Sequence, residues 1–165
     1  MISRKQSTRK LPQSEILEKS RQYAFLLLKF RLRSESEMLQ RLVKKGFTPE
    51  VAESTVAFLK ERRFLDDRQF ARAWINSRLK RPFGFRRIKQ ELNAKGISED
   101  KTRDLIEEIK NGYCEEDVVN NIAQQRFNKL KGIEPEKAKK RIYSYLLRRG
   151  FSPEVVIETI KIHES

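Results

Sequence analysis

A short segment that carries a helix end and a helix start occurs three times along the chain. The copies read VKKGFTPEVAE around Gly46, NAKGISEDKTR around Gly96 and LRRGFSPEVVI around Gly150, with glycine spacings of 50 and 54 residues. In each copy a glycine suited to the left-handed end of one helix precedes a Ser or Thr suited to cap the next. Self-similarity at such a period indicates a repeat protein. The sequence therefore predicts a chain of repeated helical units.

Apolar residues keep the same phase relative to these glycines. They recur four and eight residues before each one, which is the spacing of a single helix face. Further upstream, every copy has a large residue followed by alanine, a pairing suited to close contact between helices. The positions are Met38, Leu42, Ile88, Leu92, Ile142 and Leu146 for the stripe, and Tyr23-Ala24, Phe70-Ala71 and Ile122-Ala123 for the upstream pairs. The pattern predicts three helices per unit.

The predicted architecture is all-α and elongated, with nine helices in three tandem three-helix repeats over residues 14–65, 66–112 and 113–165. A short basic tail over residues 1–13, with four Lys and Arg and no acid, is predicted to be disordered. Elongation is favoured because the charged fraction of 36% nearly equals the hydrophobic fraction of 38%, which suits thin helical layers. Thr48 and Ser152 are predicted N-caps, and Ser34 with Glu37 a capping box.

The charge balance points to an acidic class of partner. Thirty-seven Lys and Arg against 23 Asp and Glu leave a formal net charge of +14. Such a charge attracts polyanions at long range. We therefore expect a partner that is acidic or carries nucleic acid.

Several classes of protein are disfavoured by what the sequence lacks. No apolar run reaches the roughly 18 to 20 residues that span a bilayer, and the N-terminal residues have no signal-peptide core. Cys114 and His163, the single cysteine and histidine, are too few for a zinc site. Acidic pairs such as Asp66-Asp67 stand at predicted helix starts, where acids are expected without a catalytic role. The sequence also has no phosphate-binding loop and no nucleophile motif. We expect a cytoplasmic protein without membrane contact, catalytic activity, cofactor or metal.

Three stretches of the chain closely resemble the bacterial RecX family of regulatory proteins. They read FLDDRQFARAWI, FGFRRIKQELNAKGIS and YSYLLRRGFSPEVV, and the resemblance spans residues 20–160. It implies a fold of three tandem three-helix repeats. It also implies a modulator, usually an inhibitor, of the RecA recombinase that lodges in the groove of the RecA–DNA filament, in recombination, DNA repair and the SOS response. A monomer is the default expectation.

The main candidate binding residues lie in the central repeat, in the run RLKRPFGFRRIK. Its basic members are Arg78, Lys80, Arg81, Arg86, Arg87 and Lys89. Arg86 and Arg87 follow the helix breakers Pro82 and Gly84, so they stand near a helix N-terminus, where the helix dipole disfavours cations. A local rule broken in this way often marks function. Phe83 and Phe85 are expected to anchor the loop rather than to stack on bases.

A second basic group lies in the last repeat. Its members are Lys137, Lys139 and Lys140. For these lysines, partner binding and ordinary solvation are about equally plausible explanations. Arg148 and Arg149 follow at the end of the same predicted helix, where cations complement the dipole, so a structural role is favoured there. Trp74 lies on an apolar stripe and is expected to pack in the core.

One alternative function stays open from the residues alone. The helices joined at each glycine, together with the net charge, are also typical of a stand-alone helical DNA-binding protein of helix-turn-helix type. Against it, the would-be recognition helices begin TPEVAE, SEDKTR and SPEVVI, which places acid where DNA would approach.

Overall fold

The computed structural model describes residues 12–110 and 112–162, which form nine α-helices and no β-strand. The helices are α1 Gln13–Phe30, α2 Glu35–Lys45, α3 Pro49–Glu61, α4 Asp67–Leu79, α5 Phe85–Asn93, α6 Glu99–Lys110, α7 Glu115–Lys129, α8 Pro135–Arg148 and α9 Pro153–Ile162. The predicted all-α fold of three-helix repeats is confirmed. Residues 1–11 of the predicted tail, and His163, lie outside the described residues.

The chain divides into two compact units, one ending at Asp67 and the other beginning at Arg68. In the first unit α1 packs on α2 and α3. A buried hydrogen bond of 2.8 Å joins the hydroxyls of Ser20 on α1 and Thr55 on α3. Because the Thr55 hydroxyl donates to the carbonyl of Val51, the Ser20 hydroxyl is the donor to Thr55. The second unit contains α4 to α9, that is, the second and third repeats.

The stop and start signals act as the sequence predicted. Gly46, Gly96 and Gly150 have φ of +106°, +79° and +85°. The helices after Gly46 and Gly150 are capped by side chains, because the Thr48 hydroxyl accepts from the Val51 amide and the Ser152 hydroxyl accepts from the Val155 amide. Helix ends and starts are therefore specified locally, within a few residues of each glycine.

The phased apolar positions form the cores of the repeats. Every member of the stripe and the alanine of every upstream pair is completely buried: Met38, Leu42, Ile88, Leu92, Ile142 and Leu146, with Ala24, Ala71 and Ala123. Truncating such a buried Leu or Ile to Ala costs roughly 2–5 kcal/mol. The residues that form the core of each repeat are therefore the ones at fixed distances from its glycine in the sequence.

Candidate partner-binding surface

The predicted basic surface surrounds the turn between α4 and α5. α4 ends at Leu79, and the turn continues through Pro82, which has no amide hydrogen. Gly84 is extended, with φ −78° and ψ 160°, and α5 begins at the next residue without a side-chain cap. Phe85 and Ile88 are buried in the core, whereas Arg86 and Lys89 are exposed.

Two backbone carbonyls and one carboxylate of the third repeat cap the start of α5. The Gly84 amide donates to the Arg149 carbonyl at 3.0 Å, and the Arg86 amide donates to the Gly150 carbonyl at 3.1 Å. The Phe85 amide donates to Oε1 of Glu115 at 3.2 Å. These amides are among the donors that every helix start leaves unsatisfied. We call this contact between residues 84–86 and 149–150 the α5–α8 seam.

The seam is a direct approach of two backbones, which requires glycine on both sides. A β-carbon at Gly84 would overlap the carbonyl of Gly150. A β-carbon at Gly150 would overlap the backbone and Cβ of Arg87, and Gly150 also has the left-handed φ of +85°. A side chain at either position would push the helix ends apart.

The seam gives a physical reason why cations are tolerated at the start of α5. The positive end of the α5 dipole meets the carbonyls at the negative end of α8 and the Glu115 carboxylate. Arg87 also donates to the carbonyl of Arg148 at 3.5 Å. In the sequence, Arg86 and Arg87 stand at a helix N-terminus, where cations are unfavourable. In the fold, acceptors from another repeat offset that unfavourable positive charge.

Glu91 accepts three part-buried hydrogen bonds behind this surface. Its Oε2 accepts from Nε of Arg78 at 2.6 Å and from Nε1 of Trp74 at 3.0 Å, while its Oε1 accepts from Nε of Arg87 at 3.0 Å. Burial by itself would raise the pKa of Glu91, but hydrogen bonds from the two arginines and the indole outweigh it and lower the pKa. The carboxylate is therefore held ionised at the centre of the cluster.

Phe83 lies among three guanidinium groups. Those of Arg87, Arg149 and Arg78 stand 4.4, 5.1 and 5.9 Å from its ring centroid. Nη1 of Arg149 also donates to the carbonyl of Pro82 at 3.2 Å. Phe85 is instead buried, with its ring 5.3 Å from that of Tyr113. Both rings anchor the turn, and cation–π contacts of this kind add about 0.5–2 kcal/mol each.

The predicted residues of the central repeat separate into two groups. Arg78 and Arg87 are committed to Glu91. The other four are exposed and have no ion-pair partner within the described part of the chain: Lys80, Arg81, Arg86 and Lys89. We call these four cations the free basic set. Lys80 and Arg81 lie in the turn and Arg86 and Lys89 lie on α5, both of which the seam and Glu91 fix in place.

The predicted lysines of the last repeat occupy the opposite end of α8. Lys137 pairs with Glu134 at 3.3 Å and Lys139 pairs with Glu136 at 2.7 Å, while Lys140 is exposed. At 1.5 Å per residue they lie roughly 15 Å along the helix from the seam. The fold therefore does not merge the two predicted basic groups into one cluster.

Comparison with known families decides where this arrangement belongs. Three family models match in chain order, described as the first, second and third three-helix domains of RecX, over residues 21–59, 66–106 and 115–160. The chain belongs to the RecX family. The resemblance read from the sequence motifs is confirmed.

Individual RecX proteins agree with this assignment along most of the chain. The chain is 31% identical to the regulatory protein RecX of Chlorobium limicola over 139 residues, covering 84% of this chain and 85% of that protein. It is 29% identical to that of Clostridium botulinum over 156 residues, covering 92% and 71%. The crystal structure of RecX from Lactobacillus salivarius superposes with a TM-score of 0.78 at 18% identity, covering 90% of this chain and 96% of that one. RecX relatives are named as regulatory proteins, and the shared fold is all-helical.

Two carboxylates of this RecX chain, Glu91 and Glu115, organise the site although neither is among the binding residues predicted from the sequence. Glu91 could have been found from its i,i+4 spacing to Arg87. Glu115 stands in the first turn of α7, where an acid is expected, so its position in the chain suggests no further contact. Burial raises the pKa of Glu115, although the amides of Phe85 and Ser152 partly oppose that rise. No local signal reveals that this carboxylate reaches across to α5.

The described residues contain no group of three or more His, Cys, Asp or Glu side chains placed to hold a metal ion. None of the helices over residues 12–110 and 112–162 is both long and apolar enough to cross a bilayer.

Proposed function

We propose that this RecX-family chain binds the RecA–DNA filament and modulates, mostly by inhibition, RecA ATPase, strand exchange and filament assembly in recombination and DNA repair. The family supports a regulatory role, and RecA as the target follows from the resemblance to that family. The formal net charge of +14 favours a polyanionic partner. The chain acts as a monomer in the cytoplasm, without chemistry of its own.

The observation that carries the proposal is the free basic set. Its four cations are exposed and lack ion-pair partners within the described residues, although the same stretch supplies two arginines to Glu91. Because the seam and Glu91 fix the backbone that carries them, little backbone freedom is lost on binding. Guanidinium and ammonium groups held in this way suit phosphates or carboxylates of a filament.

Inhibition requires only that the chain, bound in the filament groove, has a higher affinity for some states of the filament than for others. A ligand lodged there blocks access of a second duplex. It also favours filament states in which neighbouring subunits cannot complete the motions tied to ATP turnover. Both effects shift the filament away from strand exchange and towards disassembly.

The experiment is a titration of the chain into RecA on single-stranded DNA, followed by ATPase rate and strand-exchange yield. The proposal expects both to fall at about stoichiometric amounts of protein. Unchanged ATPase and strand exchange would contradict it. Tight sequence-selective binding to duplex DNA without RecA would favour the stand-alone DNA-binding alternative.

A further inference from the structure

The first unit contains a cationic pocket that shares no lining residue with the surface described above. It is a cavity of ≈ 290 Å³ at the corner between α1 and α2. Its lining residues are Arg31, Arg33, Glu37, Gln40, Arg41 and Lys44. Four cations face one carboxylate, which leaves a net charge of +3 around the cavity. That excess within one small concavity favours an anionic occupant.

Local structure explains why these side chains converge. The link between α1 and α2 is short and begins extended, with φ −167° and ψ 161° at Arg31, so side chains two residues apart leave it on one side. On α2, Glu37, Arg41 and Lys44 follow at the spacing of one helix face. That face is separate from the buried stripe of α2, so it is available to line a pocket.

The single carboxylate is already shared with one arginine. Glu37 receives a forked contact from Arg31, with Nη1 to Oε2 at 2.9 Å and Nη2 to Oε1 at 3.2 Å. Arg41 and Lys44 are exposed and have no ion-pair partner in the described ranges. The excess positive charge of the pocket is therefore not cancelled from within.

Arg33 is the most unusual member of this group. It is only 8% exposed, and its Nη1 is buried without a hydrogen-bond partner among the described residues. Its Nε reaches the Leu27 carbonyl at 3.5 Å, a weak contact that caps the end of α1 and uses one donor of five. Burial lowers the pKa of Arg33, and the charges of Arg31 and Arg41 lower it further against the opposing effect of Glu37. A buried guanidinium left this short of acceptors is costly unless an anion completes it.

We propose that this pocket binds a phosphate group, with Arg33 as the buried anchor and Arg41 and Lys44 at the rim. Guanidinium donors match the oxygens of phosphate in geometry and charge. No aromatic side chain among the described residues lines the cavity, so these residues offer no platform for a base and recognise the phosphate alone. The phosphate comes either from a nucleic-acid backbone or from free inorganic phosphate. The inference rests on the geometry of the first unit and is independent of the RecA proposal.

The test uses the full-length chain without RecA. Calorimetric titrations with inorganic phosphate, and separately with a short single-stranded oligothymidylate, are compared with sodium chloride at equal ionic strength. Arg41→Gln and Lys44→Gln each remove one rim cation, and Lys29→Gln is the matched control, an exposed lysine in the last turn of α1 outside the pocket. Arg33→Lys keeps the charge and removes the fork, and its helicity is checked by circular dichroism.

Each rim variant is expected to weaken phosphate binding about tenfold, as for one charge-assisted hydrogen bond, with Lys29→Gln unchanged. If the rim variants also weaken oligothymidylate binding and reduce its salt slope by about 0.7 per contact, the source is a nucleic-acid backbone. If only the inorganic phosphate response depends on them, the source is free phosphate. The proposal would be overturned if neither probe gave more binding heat than sodium chloride. It would also be overturned if the rim variants and the Lys29→Gln control lost the same amount of phosphate affinity. Because the rim variants are exposed, this outcome does not depend on Arg33→Lys folding.

Discussion

The amide of Gly84 donates a 3.0 Å hydrogen bond to the carbonyl of Arg149, and no side chain stands between the two backbones. This bond joins the start of α5 to the end of α8 and so connects the second repeat to the third. It also fixes the turn and the start of α5, which carry the free basic set. The stability of the second unit and the geometry of its candidate surface therefore depend on the same contact.

Replacing Gly84 by alanine should destabilise the second unit. The added β-carbon overlaps the Gly150 carbonyl, and the strain together with weakened seam hydrogen bonds should cost about 2–4 kcal/mol of unfolding free energy. Trp74, the single tryptophan, lies in this unit, so urea unfolding followed by tryptophan fluorescence reports on it. Gly112→Ala is the control, because its β-carbon would have nothing within 4 Å. Equal urea midpoints for the two variants would refute the account of the seam.

Replacing Glu91 by glutamine should lower stability in a pH-dependent way. The variant loses the ionised partner of Arg78 and Arg87, with an expected cost of about 1–2 kcal/mol near neutral pH after allowance for partial solvent screening. The folded-state pKa of Glu91 lies below its ordinary value of 4.5. Its contribution is therefore complete above that value and is lost as the pH falls through the lowered pKa. Urea midpoints of both proteins across this range should converge in acid, and a constant difference would count against the ion-pair explanation.

Arg63 offers a test in the first unit. It adopts φ +58° just after α3, and the next amide, of Phe64, donates back to Leu59 at 2.8 Å, as in a helix end of Schellman type. Arg63→Gly should therefore raise the unfolding free energy by about 0.5–1 kcal/mol, since the left-handed cost outweighs the added chain entropy. Thermal melts followed by circular dichroism measure it. Arg63→Ala keeps the strained φ and should show no gain.

The core was predictable from the sequence because it is set by local periodicity. The residues four and eight before each glycine, such as Leu92 and Ile88, are buried without exception. The seam was not predictable, although the sequence singled out both Gly84 and Gly150. One was assigned to a loop and the other to a helix end, because their contact depends on how two repeats pack.

The candidate site was predictable only as a list of cations. Position in the chain could not show that Glu91 engages Arg87 and leaves Arg86 exposed. It also could not show that Arg33, within a stretch identified for its capping box, is buried without a full set of acceptors. Both distinctions require the three-dimensional neighbours of each charge.

Arg86 of the free basic set can be altered without loss of stability, which makes its role testable. A glutamate at position 86 would stand in the first turn of α5, where the dipole favours an acid, so Arg86→Glu should keep or slightly raise the melting temperature. Arg87→Glu is a poor probe, because it would place a second carboxylate beside Glu91.

The most direct test is inhibition of RecA's DNA-dependent ATPase by the double variant Lys80→Glu with Arg86→Glu. Its control is Lys101→Glu with Arg103→Glu, which makes the same change in net charge on exposed positions of α6. The account predicts that the first variant melts like the unaltered protein but needs at least about tenfold more protein for half inhibition, consistent with the loss of two charge-assisted contacts. The control should inhibit like the unaltered protein. Equal potency of the two double variants would contradict the claim that this RecX chain acts through the free basic set.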